Sequence, residues 1–105
     1  PEHTSLIIDA GVVELVCRAI MNAGKQLEST PPADRINPAA CCYGDIIEMG
    51  AEILLEAATD KEKGLTSLKK AGAVRVINAV KNYVEGTPQD ANIRLYAEKI
   101  SKLPL

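Results

Sequence analysis

Apolar residues recur at intervals of three and four along almost the whole chain, the period of helices packed on one side. A short helix is expected to reach about Ala10, with Thr4 as its cap, before Gly11 interrupts it. A second helix follows to about Leu27, carrying Val12, Leu15, Val16, Ala19 and Ile20 on one stripe. Residues 29–38 hold three prolines, which remove donors and clash with a preceding turn, so this stretch reads as the one long loop. Asn37-Pro38 is its expected exit, with Asn as N-cap and Pro at the first helical position. A long helix then runs to about Thr59 with a buried stripe of Ile47, Ala51, Leu54, Leu55 and Ala58. Gly44 and Gly50 within it call for the close approach of a neighbouring helix.

Thr59 or Asp60 caps the next expected helix, which ends near Ala71. Gly72 interrupts, and a further helix to about Glu85 carries Ala73, Val76, Ile77, Val80 and Val84. Gly86 stops it. Thr87-Pro88-Gln89-Asp90 is a start signal, a capping Thr with an acid three residues on. The last helix reaches about Leu103, with Ile93, Tyr96, Ala97, Ile100 and Leu103 on a stripe. No segment alternates as a strand does, so the expectation is an all-α chain of five or six helices with no sheet.

The length of 105 residues fits a single domain, and the apolar share of 47% is enough for a core. Three Tyr and no Phe or Trp leave that core to aliphatic side chains and Ala. The same scarcity of rings argues against a nucleic-acid platform and against membrane binding. Charge is polarised. Residues 1–60 carry 3 basic and 10 acidic side chains, and residues 61–105 carry 9 basic and 4 acidic ones. Such a module suits partners of opposite charge at its two ends, although ordinary solvated helix surfaces also explain it. Cys17, Cys41 and Cys42, an odd number in apolar helical patterns, read as small hydrophobes in a reducing, cytoplasmic setting. The opening residues do not read as a signal peptide, and no membrane span is expected, since no apolar run is long enough. A start at Pro1-Glu2 without Met fits a processed chain or a piece of a longer one.

The chain also repeats itself. Ile7-Ile8-Asp9-Ala10-Gly11-Val12-Val13-Glu14-Leu15-Val16 aligns with Leu68-Lys69-Lys70-Ala71-Gly72-Ala73-Val74-Arg75-Val76-Ile77 at an offset of 61 residues. Val12 then pairs with Ala73, Leu15 with Val76, Val16 with Ile77 and Ala19 with Val80. In both copies a short helix ends at Ala-Gly and a longer one begins beyond it. On these residues the sequence resembles the armadillo repeat family, with Ala51, Leu54, Leu55 and Ala58 matching the core of the family's third helix. The resemblance covers roughly residues 5–28 and 45–103, in repeat-like units of about 5–60 and 61–105. It implies a short right-handed α-solenoid acting as a scaffold or protein-interaction module. The Trp and Asn with which nuclear-import receptors of this family clamp peptides fall here on Ile53 and Ala57, so that particular recognition is not implied. Two repeats leave an apolar end open, to be covered by adjacent repeats of a longer protein or by another subunit.

Catalytic chemistry finds little footing. The single His3 lies near a terminus, Cys41-Cys42 point about 100° apart on a helix, and Ala23-Gly24-Lys25 lacks the rest of a phosphate loop. No enzyme, metal or cofactor is expected. Asp45, Glu48, Glu52 and Glu56 fall within an arc of about 80° on the long helix, roughly opposite its apolar stripe. In an armadillo-like module third helices line the concave groove, which makes these acids the candidate surface for a partner protein or basic peptide; a plain solvated face is the other reading. Lys61, Lys63, Lys69, Lys70, Arg75 and Lys81 make the second half basic, as solubilising lysines also do. A different class stays open: a compact helical bundle, one subunit of a larger assembly, holding a ligand or cofactor between helices and folding its last helix back onto the first.

Overall fold

Two glycines turn the chain. Gly11 (φ 77°) and Gly72 (φ 68°) both sit in the left-handed region, which a Cβ disfavours, and each joins a short helix to the one after it. The computed structural model describes the backbone of residues 2–105 and the side chains of residues 4–37 and 42–105. The readings placed on the side chains of His3 and Cys41 lie outside the described residues. Six helices and no strand are found among the described residues: α1 (Glu2–Asp9), α2 (Val12–Glu28), α3 (Pro38–Ala57), α4 (Lys63–Ala71), α5 (Ala73–Val80) and α6 (Asp90–Ser101). Single 3-10 turns cover Pro32–Asp34 and Lys81–Tyr83. None of the six is long and apolar enough to cross a membrane.

Three expected caps act differently. Thr4 lies inside α1, where its buried hydroxyl donates to Glu56 Oε1 of α3 (3.2 Å) instead of capping. Asn37 occupies the N-cap position of α3 with an extended backbone, as the following proline demands, but its side chain makes no capping bond. Thr87 is buried and donates to Val84 O (2.6 Å), closing the turn at Gly86 rather than capping α6. Asp60 does cap: its Oδ1 accepts the backbone N–H of Glu62 (3.0 Å) and Lys63 (2.9 Å) ahead of α4. Burial raises the Asp60 carboxyl, but the N–H groups of Lys63, Glu62 and Gly64 and the Lys63 charge outweigh it and hold it below the usual range.

Helices pair across the two halves like with like. α1 packs on α4, α2 on α5 and α3 on α6, while α2 and α3 share the broadest seam within the first half and α5 and α6 pack together in the second. Ile8, Ile20, Leu27, Ile47, Leu54, Leu68, Ile77, Ile93 and Ile100 come from all six helices into one buried cluster. All three tyrosines stay at its margin. The close approaches expected at Gly50 and Gly44 are there. A Cβ on Gly50 would come within 2.8 Å of Ile20 Cγ1 on α2, and one on Gly44 would strike Gln89 just ahead of α6.

The stripe expected on α2 is corrected. Leu15 and Ala19 are exposed and Val12 and Val16 half-buried, whereas Val13, Cys17, Ile20, Ala23 and Leu27 form the core side. This helix is apolar on two faces; its neighbours cover one of them fully and the other only in part, where Val16 meets Gly50 of α3. On α3 Ile47, Ala51 and Leu54 are buried as expected, as is Ala58 at its C-cap, with Leu55 half-buried. Cys42, read from its helical pattern as a small hydrophobe, is exposed.

The proline-rich segment is fastened down. The Arg35 side chain is buried, with Nε donating to Leu27 O (3.1 Å) and Thr30 O (2.9 Å) and Nη1 donating to Glu85 O of the second half (3.1 Å). Gly86 lies so close beneath this segment that a Cβ there would strike Pro32 O.

Candidate functional site

Helical periodicity places the four acids of α3 along one edge, and the fold gives each of them a neutral partner. Asp45 Oδ1 accepts from Gln89 Nε2 (2.7 Å), Glu48 Oε2 from Asn92 Nδ2 (3.0 Å) and Glu52 Oε1 from Tyr96 OH (3.0 Å). Every one of these pairs is 44 residues apart, because Gln89, Asn92 and Tyr96 follow the same three-then-four spacing as Asp45, Glu48 and Glu52. The fourth step along α6 is the buried Ile100, so Glu56 turns instead to Thr4 of α1. The result is a polar ladder down the α3–α6 seam, roughly 10 Å long over two helical turns.

The ladder orders the carboxylates without neutralising them. Amides, a phenol and a hydroxyl donate, and none of the four acids is in an ion pair among the described residues. Asp45, Glu52 and Glu56 are exposed and Glu48 half-buried, so the second oxygen of each carboxylate stays within reach of solvent or a ligand. The negative field registers on Tyr96: its hydrogen bond to Glu52, then burial and the charges of Glu52 and Glu48, push the phenol above its ordinary value. The acids thus line the edge of α3 beside α6. Sequence reasoning missed their partners, although the matched spacing of residues 89, 92 and 96 was the signal for them.

The basic residues of the second half are dispersed. Lys63 pairs with Asp9 of α1 (3.2 Å) and also donates to Ser5. Lys69 and Arg75 rim a surface hollow of about 480 Å³ whose apolar lining includes Leu68, Val74, Leu103 and Leu105. Lys61, Lys70 and Lys81 do not line it.

The thiols give no activated nucleophile in α2. Burial, with the Glu14 charge second, pushes Cys17 up to about 11, so it is a neutral thiol at physiological pH. No group of three or more His, Cys, Asp or Glu stands ready to hold a metal among the described residues. Compared with protein-family models, curated proteins and solved structures, the chain matches none of them.

Proposed function

We propose that this chain is a non-catalytic protein-interaction module, a short right-handed α-solenoid of armadillo type, whose α3–α6 face binds a basic peptide or a basic segment of a partner protein. The observation that carries the reading is the ladder of four carboxylates, each positioned by a neutral donor from α1, α6 or the N-cap of α6, and none of them in an ion pair among the described residues. Side chains already held in place lose less freedom when a ligand arrives, and closely spaced like charges gain most from an opposing row of Lys and Arg. The solenoid part of the reading draws support from the like-with-like seams between halves and from the matching left-handed corners at Gly11 and Gly72. A bundle would seat α6 on α1; the seams of α6 are instead with α3 and α5. A cytoplasmic setting belongs to the same proposal.

Binding of a fluorescent Lys/Arg-rich peptide, followed by anisotropy, tests it. The wild-type chain is expected to bind and to weaken about ten-fold between low and moderately high salt, as exposed charges are screened. Reversing Asp45, Glu48, Glu52 and Glu56 to Lys should abolish binding, while reversing Glu62 and Glu85 should leave it intact. A wild-type chain that ignores the peptide, or a four-fold variant that binds as well, would sink the proposal.

A further inference from the structure

The two halves expose unlike ends, and the internal repeat says what each end lacks. In the second half Val76 and Val80 are buried against the first half: Val76 shares a groove with Cys17 and Met21 of α2, and Val80 packs on Gly24. Their counterparts 61 residues earlier, Leu15 and Ala19, face outward. Leu15 is 57% exposed where Val76 is 7%. The face by which the second half receives its neighbour is thus present, and bare, on the first half.

The bare face continues onto α3. Ile46 (41% exposed), Met49 (61%) and the half-buried Ile53 share the edge of that helix turned away from α6. An apolar surface drawn from two adjacent helices marks an interaction site more than scattered single residues do.

The opposite end shows the complementary lack. Val13 and Cys17, covered by the second half, correspond to Val74 and Asn78, which are only half-buried. Val74 lines the hollow rimmed by Lys69 and Arg75, beside Leu103 and Leu105, and Leu95 stands exposed on α6. One end is therefore apolar within an acidic half, and the other is a partly apolar hollow within a basic half.

We infer that these ends join: a second copy of this chain seats its Leu15–Ile46–Met49 face on the Val74–Leu95–Leu105 end of the first, repeating the seam already made between the halves. The charge of the halves favours this head-to-tail order. Two acidic ends placed face to face would oppose seven net negative charges on each side. Head-to-tail contacts that do not close generate open chains, so assembly has no fixed stoichiometry. The inference rests on reading the halves as stacked repeats, but it uses surfaces distinct from the acidic ladder.

Sedimentation of the full chain from about 1 µM to 1 mM tests it, since association follows concentration. The mean mass should climb past that of a dimer without a plateau and fall with added salt. Two variants carry the decision: Leu15→Lys with Met49→Lys blocks one end, and Leu95→Glu with Leu105→Glu blocks the other. Each alone should stay monomeric, and an equal mixture should form a dimer, which also demonstrates that both fold. A wild-type chain that is monomeric throughout overturns the inference. So does a Leu95/Leu105 variant that dimerises by itself, the mark of face-to-face pairing, and so does association that survives both blocks. None of these results alters peptide binding by the acids, so failure here and failure of the binding proposal are separable.

Discussion

At the level of single residues, the backbone corners carry the most conformational information per atom. A Cβ on Gly11 would meet nothing closer than Glu14 Oε2 at 3.9 Å, and one on Gly72 nothing closer than Arg75 Nη2 at 3.4 Å. Space is available at both, so replacement is opposed by the left-handed φ alone. Gly11→Ala and Gly72→Ala should each lower unfolding free energy by about 1 kcal/mol, and the Asn variants by less. Urea titration reads this directly; an unchanged midpoint for either Ala variant would mean that its corner relaxes to another conformation. These corners were legible because glycine between two apolar helical patterns has few other uses. Arg35 was not. A cation in a proline-rich loop reads as solvent-facing, and the carbonyls that bury it come from residues 27, 30 and 85, brought together only by the tertiary fold.

At the level of helices, existence and order were readable and burial was only partly so. The stripe expected from Ala73 to Val84 is buried throughout, Ala73, Val76, Ile77 and Val80 on α5 and Val84 after the 3-10 turn that replaces the helix's expected last turn. The corresponding stripe on α2 is covered only in part, with Leu15 and Ala19 exposed, because periodicity reports which positions are apolar and not which neighbours are present to cover them. The acidic edge of α3 was legible for the same reason that its partners were not: charge stands out in a sequence, whereas Gln, Asn and Tyr at matching spacing do not. The seam they form makes a pH-dependent prediction. The Tyr96 phenol is raised in the folded chain, so its contribution is complete below the ordinary tyrosine value of about 10 and is lost as pH rises through the higher folded value. Stability measured by urea between pH 8 and 11, about the range that brackets this titration, should fall at the alkaline end for the wild type. The decline should be shallower for Tyr96→Phe; identical curves would show that the phenol contributes nothing to the seam.

At the level of the whole molecule, the halves are held by more than their apolar seams. The segment that composition marks as the loosest part of the chain donates from Arg35 to both halves and lies over Gly86. It works as a clasp, and a clasp of this kind reports whether it is shut. Trypsin must take an arginine side chain into its own pocket, and Arg35 is occupied. Limited digestion should therefore cut first after exposed lysines such as Lys25 and Lys61, and the Arg35–Ile36 bond should yield only when the halves part. Early cleavage at that bond would show the clasp to be open in the native chain. If it is shut, the angle between the halves is fixed before any partner arrives, and a ligand lying along the acidic ladder must conform to the protein's curvature rather than set it.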